Sequence, residues 1–159
     1  MSDTRSILFV CTANQCRSPM AEMLMKDTLK KMDLQQTVLV ESAGTWAEGG
    51  HPATGHGIVA MAQRGLDSSR HRSQPITEAL VNQFDLILTM EAGQKESIQV
   101  EFPKNADKVF MLSEMSGVTK NIDDPVGGSF EDYIATADEI DGWIKSGLPK
   151  ILTFLKINN

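Results

Sequence analysis

Residues 6–19, SILFVCTANQCRSP, are the stretch of sequence that decides the fold. Residues 6–10 carry a short, continuous apolar run, which is typical of a buried strand in a parallel sheet. The run ends in a polar loop, and residues 18–32 follow with apolar side chains close to helical spacing. The stretch therefore predicts a strand, a loop and a helix in succession.

The rest of the chain continues this alternation of strands and helices. Apolar runs predict three more strands, at residues 38–40, 84–90 and 108–112. Helical spacing and end signals predict helices at residues 54–64, after Thr77 as an N-cap, at 91–101 and from Ser129 onward. Such alternation indicates an α/β fold with a small parallel sheet covered on both faces. Because ligands bind beyond the carboxyl ends of such strands, the loop after Val10 is predicted to lie at the functional edge.

The composition is that of one ordinary globular domain, covering residues 1–159. A net charge of −6 disfavours nucleic-acid binding and, more mildly, binding to anionic membrane surfaces. The first apolar run is too short for a signal peptide or a membrane span, so we expect a cytoplasmic protein in a reducing compartment. Cys11 and Cys16 are the only cysteines, and a disulfide between them would close too small a loop to stabilise the fold much.

Cys11 and Arg17 stand at the two ends of the loop, with five residues between them. The intervening backbone N–H groups can form a nest around one anion, to which the helix N-terminus adds its partial positive charge. Arg17 can bind two oxygens of a phosphoryl group there, and the same surroundings favour the nucleophilic thiolate of Cys11. The predicted phosphate-binding residues are Thr12, Ala13, Asn14, Gln15, Cys16, Arg17 and Ser18.

Two residues of the loop have further predicted tasks. Asn14 suits a left-handed backbone position that a tight wrap requires. Ser18 is placed to donate its hydroxyl to the Cys11 sulfur. The alternative is that Cys11 is only a small buried hydrophobic residue at a strand end. The strand before it, the helix after it and the attached Ser-Pro favour the anion site.

Phosphoryl transfer to sulfur also needs an acid for the leaving oxygen and then a base for water. Asp124, immediately before Pro125 in a glycine-rich loop, offers an exposed carboxylate. The alternative is that Asp123 and Asp124 are ordinary turn residues. The residues alone leave open which of the two aspartates acts.

Together these residues resemble the low-molecular-weight protein tyrosine phosphatase family over nearly the whole chain. The matching pieces follow the family's order, at residues 10–22 (VCTANQCRSPMAE), 41–45 (ESAGT), 50–53 (GHPA), 65–73, 84–90 (FDLILTM) and 124–125. The resemblance implies a three-layer sandwich with a four-stranded parallel sheet, and no metal or cofactor. It also implies a phosphorylated protein as substrate, with inorganic phosphate, sulfate or vanadate as site ligands. We expect a monomer or a weak dimer.

The same resemblance assigns roles to individual residues. Cys11 is the implied nucleophile, Arg17 the phosphate clamp, and Asp124 the general acid and then the general base. The residues implied for the hydrogen-bond network that holds the loop are Asn14, Ser18, Ser42 and His71.

The sequence departs from the family pattern around the pocket. Ala13 replaces the usual glycine in the middle of the loop, which puts the loop geometry at that point in question. Val126 and Gly127 replace an aromatic pair that normally stacks on a phosphotyrosine ring. Trp46 is expected either to supply a pocket wall instead or to be a partly buried loop anchor. The predicted pocket wall consists of Gln15, Trp46 and Val126.

These departures do not decide which phosphorylated side chain is the substrate. The Asp-Pro-x-Gly-Gly-Ser pattern from Asp124 and the Cys-Thr opening resemble the bacterial protein arginine phosphatase branch, in which Thr occupies the position of Gln15. Phosphotyrosine is the default substrate and phosphoarginine is the alternative. A non-catalytic phosphate- or phosphoprotein-binding module is a third reading, although such a module has no need of both Cys11 and Asp124.

Cys16 is a candidate for redox protection. If it lies behind Cys11, it can trap a peroxide-oxidised Cys11 as a reversible disulfide. The alternative is that Cys16 is a buried structural thiol.

Overall fold

The computed structural model describes residues 4–158. Within that part of the chain there are four strands: β1 (Arg5–Cys11), β2 (Val38–Gly44), β3 (Leu86–Thr89) and β4 (Val109–Met111). The same part of the chain holds five α-helices: α1 (Arg17–Lys31), α2 (Gly55–Ala62), α3 (Glu78–Gln83), α4 (Ala92–Glu101) and α5 (Phe130–Phe154). Two 3₁₀ segments, Pro103–Lys108 and Leu112–Ser116, flank β4.

The strands form one parallel sheet in the order β2-β1-β3-β4. β1 pairs with β2 on one side and with β3 on the other, so that Val10 lies between Ala43 and Thr89. Residues 7–10 have no exposed surface, as expected of a strand covered on both faces. The predicted four-stranded parallel sheet is confirmed.

Side chains of β1 alternate between two hydrophobic cores, one on each face of the sheet. Ile7 and Phe9 pack into the larger core with side chains of α1, α2 and α5. Leu8 and Val10 pack into the smaller core with side chains of α3 and α4. The predicted three-layer arrangement of helices on both faces is therefore confirmed.

All four strands differ in length from the prediction. β1 is one residue longer at each end. β3 covers only Leu86–Thr89 of the predicted residues 84–90, because Phe84 still ends α3. β2 continues past the predicted residues 38–40 to Gly44, because its backbone pairs with β1 up to the partners Cys11 and Gly44. Ladder hydrogen bonds come from the backbone, so this extension needs no apolar side chains. β4 is shorter than predicted, since the chain enters a 3₁₀ segment at Leu112.

The helix ends agree with the capping residues in the sequence. The Thr77 side chain accepts a hydrogen bond from the backbone N–H of Leu80, which confirms the predicted N-cap of α3. Ser129 caps α5 in the same way, accepting from the backbone N–H of Asp132. No helix within residues 4–158 is long and apolar enough to cross a membrane.

Candidate active site

The loop between β1 and α1 lies at the carboxyl edge of the sheet. Cys11 is the last residue of β1 and Arg17 is the first residue of α1, and both are buried. The end of β2 supports the loop from behind. The backbone N–H of Thr45 donates to the Cys11 carbonyl, and that of Trp46 donates to the Thr12 carbonyl, each at 2.9 Å. The sheet thus fixes the start of the loop.

The middle of the loop is rich in free hydrogen-bond donors. Within the described part of the chain, the backbone N–H groups of residues 13–16 donate to no protein acceptor. Backbone donors in a folded protein are nearly always paired with protein or solvent, so four successive free ones are available to an external ligand. Such a run of donors at a helix N-terminus is suited to an anion.

Asn14 holds the loop in shape. It is fully buried and has a φ of 58°, which confirms the predicted left-handed position. Its Nδ2 donates to Ser18 Oγ at 2.8 Å and to Ser42 Oγ at 2.9 Å, and its Oδ1 accepts from the backbone N–H of Gln74. His71 Nε2 lies 2.6 Å from the Asn14 carbonyl oxygen. Because a carbonyl only accepts, His71 carries a proton on Nε2.

Ala13 does not need the conformational freedom of glycine. Its φ is not positive, unlike that of its neighbour Asn14, and its side chain is exposed. The methyl group that departs from the family pattern therefore does not distort the loop.

The Cys11 sulfur lies 3.0 Å from the hydroxyl oxygen of Ser18. That oxygen already accepts a hydrogen from the Asn14 amide, so its own proton is available to another acceptor. The Ala43 carbonyl, at 3.4 Å, is a more distant acceptor than the sulfur. Ser18 therefore presents its proton to the sulfur, and a hydrogen bond of this kind stabilises a thiolate.

Arg17 is 2% exposed, and one side of its guanidinium is fully engaged. Its Nη1 donates to the Glu91 carboxylate and, at 2.7 Å, to the carbonyl of Ile122. Its Nη2 lies 3.6 Å from Asp124 Oδ2. Its Nε is buried and has no acceptor within residues 4–158. The Nε–Nη2 edge of the Arg17 guanidinium therefore remains available to an anion. Its geometry suits two oxygens of one phosphoryl group.

Glu91 is a site residue that the sequence analysis missed. It lies two residues beyond the end of β3 and caps α4, where Gln94 completes a capping box. Gln94 also links this helix to the loop, because its Nε2 donates to Thr12 Oγ1 at 3.1 Å. An acidic residue just beyond a predicted strand end was the available signal, since carboxyl ends of parallel strands share one edge.

Asp124 is the aspartate that reaches the loop. Its side chain is 45% exposed, with Oδ2 beside Arg17 and Oδ1 accepting from the backbone N–H of Val126 at 3.0 Å. An exposed carboxyl group held next to the anion position can exchange a proton with both ligand and solvent. The geometry therefore favours Asp124 over Asp123 as the proton donor.

The residues predicted to wall the pocket differ in their exposure. Trp46 is 85% exposed, so the alternative that it is a partly buried anchor is wrong. Val126 is also exposed, at 57%. Gln15 is half-buried, and its carbonyl accepts from the backbone N–H of Thr54. Whether these side chains contact a substrate stays a prediction.

Cys16 is a free, buried thiol at the end of the loop. Burial, as the largest cause, and the negative charges of Asp124 and Cys11 together raise the pKa of Cys16 to about 12. The thiol is therefore protonated at neutral pH. This distinguishes it from a cysteine that acts as a nucleophile at that pH.

Comparison with known proteins shows similarity along nearly the whole chain. Residues 6–155 match the family model described as low molecular weight phosphotyrosine protein phosphatase. A probable low molecular weight protein-tyrosine-phosphatase, EpsP, of Ralstonia solanacearum is 42% identical over 144 residues, which cover 88% of this chain and 94% of that protein. A protein-arginine-phosphatase of Bacillus subtilis (strain 168) is 40% identical over 136 residues, which cover 85% and 89%.

A solved structure shows the same fold. It is a mutant of the YwlE arginine phosphatase with serine in place of a cysteine and with that active-site serine phosphorylated. It is 38% identical to this chain with a TM-score of 0.87, and the match covers 93% of this chain and 95% of that one.

Proposed function

Because the chain belongs to the low molecular weight phosphotyrosine protein phosphatase family, we propose that it hydrolyses phosphorylated protein side chains through a phosphocysteine on Cys11, with phosphotyrosine as the default substrate. The family predicted from the sequence is confirmed, and the chain is a cysteine-dependent phosphatase. One observation carries the proposal. The loop that begins at Cys11 carries four free backbone donors and the free Nε of Arg17, and the Cys11 sulfur receives the Ser18 proton.

In the first step, the Cys11 sulfur attacks the phosphorus atom. The S–P bond forms as the bond from phosphorus to the leaving group breaks, and Asp124 gives its proton to the leaving atom. Negative charge spread over the three equatorial oxygens is stabilised by the loop N–H groups and by Arg17. These donors are fixed before the reaction, so little reorganisation is needed.

In the second step, water attacks the phosphorus of the phosphocysteine. The Asp124 carboxylate takes a proton from the water, the P–O bond forms, and the S–P bond breaks. The Ser18 hydroxyl donates to the departing sulfur and stabilises it as a thiolate. The products are inorganic phosphate and the free enzyme.

Phosphoarginine is the second candidate substrate, and the surface beside Asp124 favours it. A groove of about 490 Å³ runs along the Asp124 loop and the start of α5, and its acidic lining residues are Asp123, Asp124, Asp132 and Glu139. A carboxylate-lined groove suits a guanidinium or a basic peptide more than it suits an aromatic ring. The B. subtilis relative that carries this activity in its name adds support.

A pair of matched peptides separates the two substrates. We expect metal-independent release of phosphate from a phosphotyrosine peptide, a phosphoarginine peptide of the same sequence, or both, with the larger kcat/KM naming the preferred class. Glu139→Gln and Asp132→Asn should lower kcat/KM for phosphoarginine and leave phosphotyrosine unchanged if the groove selects guanidinium. Failure to hydrolyse either peptide would leave the non-catalytic phosphate-binding module as the better account.

We also propose that the protein acts in the cytoplasm, as a monomer or a weak dimer. Cys11 must be a reduced thiol to act, and reducing conditions maintain that state. Sedimentation at rising protein concentration gives the oligomeric state, and cell fractionation tests the location.

A further inference from the structure

Glu22 lies on α1, one helical turn beyond Ser18, and its carboxylate is shared between two partners. Ser42 Oγ donates to Glu22 Oε1 at 2.7 Å, and Lys26 Nζ donates to Glu22 Oε2 at 2.6 Å. The Glu22 side chain is only 16% exposed, whereas that of Lys26 is 47% exposed. The contact with Ser42 is thus the interior one of the two.

The direction of each hydrogen bond around Ser42 follows from counting protons. The Asn14 amide orientation is fixed, because its Oδ1 accepts from the Gln74 backbone N–H. Both Nδ2 hydrogens of Asn14 are therefore donated, one to Ser18 and one to Ser42. The Ser42 oxygen accepts, so its own proton must be donated elsewhere, and Glu22 Oε1 receives it.

We infer that Glu22 is a positioning residue for the nucleophile. It fixes the Ser42 hydroxyl so that the Ser42 oxygen faces the Asn14 amide. Asn14, held in this way, keeps the Ser18 oxygen as an acceptor, and so directs the Ser18 proton to the Cys11 sulfur. Glu22 touches neither the sulfur nor a bound phosphate, and it acts only through these three side chains.

Removing the acceptor leaves a buried donor without a partner. Ser42 is 3% exposed, and only water in the cavity that it shares with Glu22 can take the place of the lost oxygen. Such water is held less firmly than a side chain of α1, so the Ser42 hydroxyl loses its fixed acceptor. The hydroxyl then turns away from its present direction, and the Asn14 amide loses a well-aligned acceptor. At the other end of this series of hydrogen bonds, the predicted consequence is a weaker hydrogen bond from Ser18 to the Cys11 sulfur.

The hydrogen bonds that begin at Glu22 favour the Cys11 thiolate, but the negative charge of Glu22 disfavours it, since a nearby carboxylate repels a thiolate. Glu22→Gln and Glu22→Ala both remove the charge, but only Gln keeps an oxygen that can accept from Ser42. The comparison of these two variants therefore isolates the hydrogen bond from the charge.

Two control variants change a charged side chain near Glu22 without removing the acceptor of Ser42. Glu41 lines the same cavity of about 290 Å³ as Glu22 and Ser42, and it makes no hydrogen bond to Ser42 or Asn14 in the described part of the chain. Lys26 contacts the other oxygen of Glu22. Glu41→Gln and Lys26→Met should both behave like the wild type.

The test is the rate of alkylation of Cys11 by iodoacetamide from pH 5 to pH 9, with the modified cysteine identified by mass spectrometry. We expect Glu22→Ala to reach its half-maximal rate at a higher pH than Glu22→Gln. We also expect kcat for p-nitrophenyl phosphate to fall about fivefold or more in Glu22→Ala relative to Glu22→Gln, which corresponds to one net hydrogen bond, with KM little changed. Equal alkylation profiles in the two variants, with only a lower Tm in Glu22→Ala, would show a purely structural role and overturn the inference.

If Glu22→Ala folds poorly, Ser42→Ala alone keeps the test decisive, because it removes the donor with Glu22 in place and should shift the alkylation profile in the same direction. A double-mutant cycle then tests whether the effect of Glu22 passes through Ser42. In a Ser42→Ala background the donor is gone, so a further change from Gln to Ala at position 22 should not move the alkylation profile. A further shift of the same size would contradict a path through Ser42. The kinetic measurement rests on the proposed function, whereas the alkylation does not, so an inactive protein with the expected alkylation shifts would separate the two.

Discussion

Arg17 is a buried cation whose surroundings decide which of its donors are free. A buried charge is tolerated when it is paired and hydrogen-bonded, and the Glu91 carboxylate with the Ile122 carbonyl does this at Nη1. The pairing also orients the guanidinium, because its five donors are in one rigid plane. The orientation leaves Nε and Nη2 for the ligand.

Replacing Glu91 should therefore weaken phosphate binding. We expect Glu91→Ala to raise KM for p-nitrophenyl phosphate and the inhibition constant for inorganic phosphate by about tenfold, and to lower the free energy of unfolding by about 1–3 kcal/mol. Glu91→Gln keeps an acceptor for Arg17, so it should lose less phosphate affinity and less stability than Glu91→Ala. The matched control is Glu96→Ala, an exposed carboxylate on the same helix. Equal phosphate inhibition in Glu91→Ala and Glu96→Ala would contradict the anchoring role.

The redox role proposed for Cys16 has a pH signature. Oxidation of Cys11 by peroxide gives a sulfenic acid, and attack by the Cys16 sulfur forms a disulfide and releases water. The attacking species is the thiolate. Because the pKa of Cys16 is raised to about 12, the thiolate fraction grows about tenfold per pH unit below that value.

We expect the activity recovered by dithiothreitol after peroxide treatment to be larger at pH 9 than at pH 7 in the wild type. The same recovery should be small at both values in Cys16→Ser, which lacks the trapping sulfur. Both proteins contain Cys11, so comparing them at the same pH controls for the pH dependence of Cys11 oxidation. Equal recovery in both proteins would leave Cys16 as a structural thiol.

At the scale of elements, the carboxyl end of β2 is the surface on which the loop rests. A Cβ added at Gly44 would lie 2.4 Å from the Thr12 carbonyl oxygen and 3.0 Å from the Asn14 backbone nitrogen. Both contacts are with backbone atoms, which cannot move aside without shifting the loop. The close approach of the two elements thus depends on the absence of a side chain at this position.

Gly44→Ala should therefore lower both Tm and kcat. The expected loss of kcat follows from displacement of Thr12 and Asn14, and steady-state kinetics with thermal unfolding measure the two effects. Gly142→Ala is the control, because position 142 lies inside α5 with open space around it, and alanine there should stabilise the protein by about 1 kcal/mol. Wild-type kcat in Gly44→Ala would contradict the tight support of the loop by β2.

The sequence predicts those parts of the site that depend on local order along the chain. The loop from Cys11 to Ser18 could be predicted in detail, since its chemistry depends on spacing within a strand–loop–helix unit. The contact of Glu91 with Arg17 was missed, because the two residues are 74 positions apart and meet only through the pairing of β1 with β3; the position of Glu91 beyond a strand end marks its edge of the sheet but not its partner. The length of β2 was also missed, since its last residues pair through the backbone and carry no apolar signal.

At the scale of the whole molecule, the parallel sheet gathers distant segments at one edge. Cys11 ends β1, Gly44 ends β2, and Glu91 follows β3. The segment after β4 brings Ile122 and Asp124 to the same edge, where both meet Arg17. The order β2-β1-β3-β4 puts the nucleophile strand between the strands that support it. The topology therefore brings the loop of Cys11 and Arg17 together with Glu91 and Asp124, which come from segments far away in the chain.

We propose that Cys11 carries the phosphoryl group and that Asp124 moves the protons. The most direct measurement is the hydrolysis of p-nitrophenyl phosphate in the presence of a metal chelator, with Cys11→Ser, Asp124→Asn and Cys16→Ser compared with the wild type. We expect turnover in the wild type and in Cys16→Ser, none detectable in Cys11→Ser, and a loss of about 10²–10⁴ in kcat in Asp124→Asn. Undiminished turnover in Cys11→Ser, or a wild type that binds vanadate without turning over, would contradict this proposal.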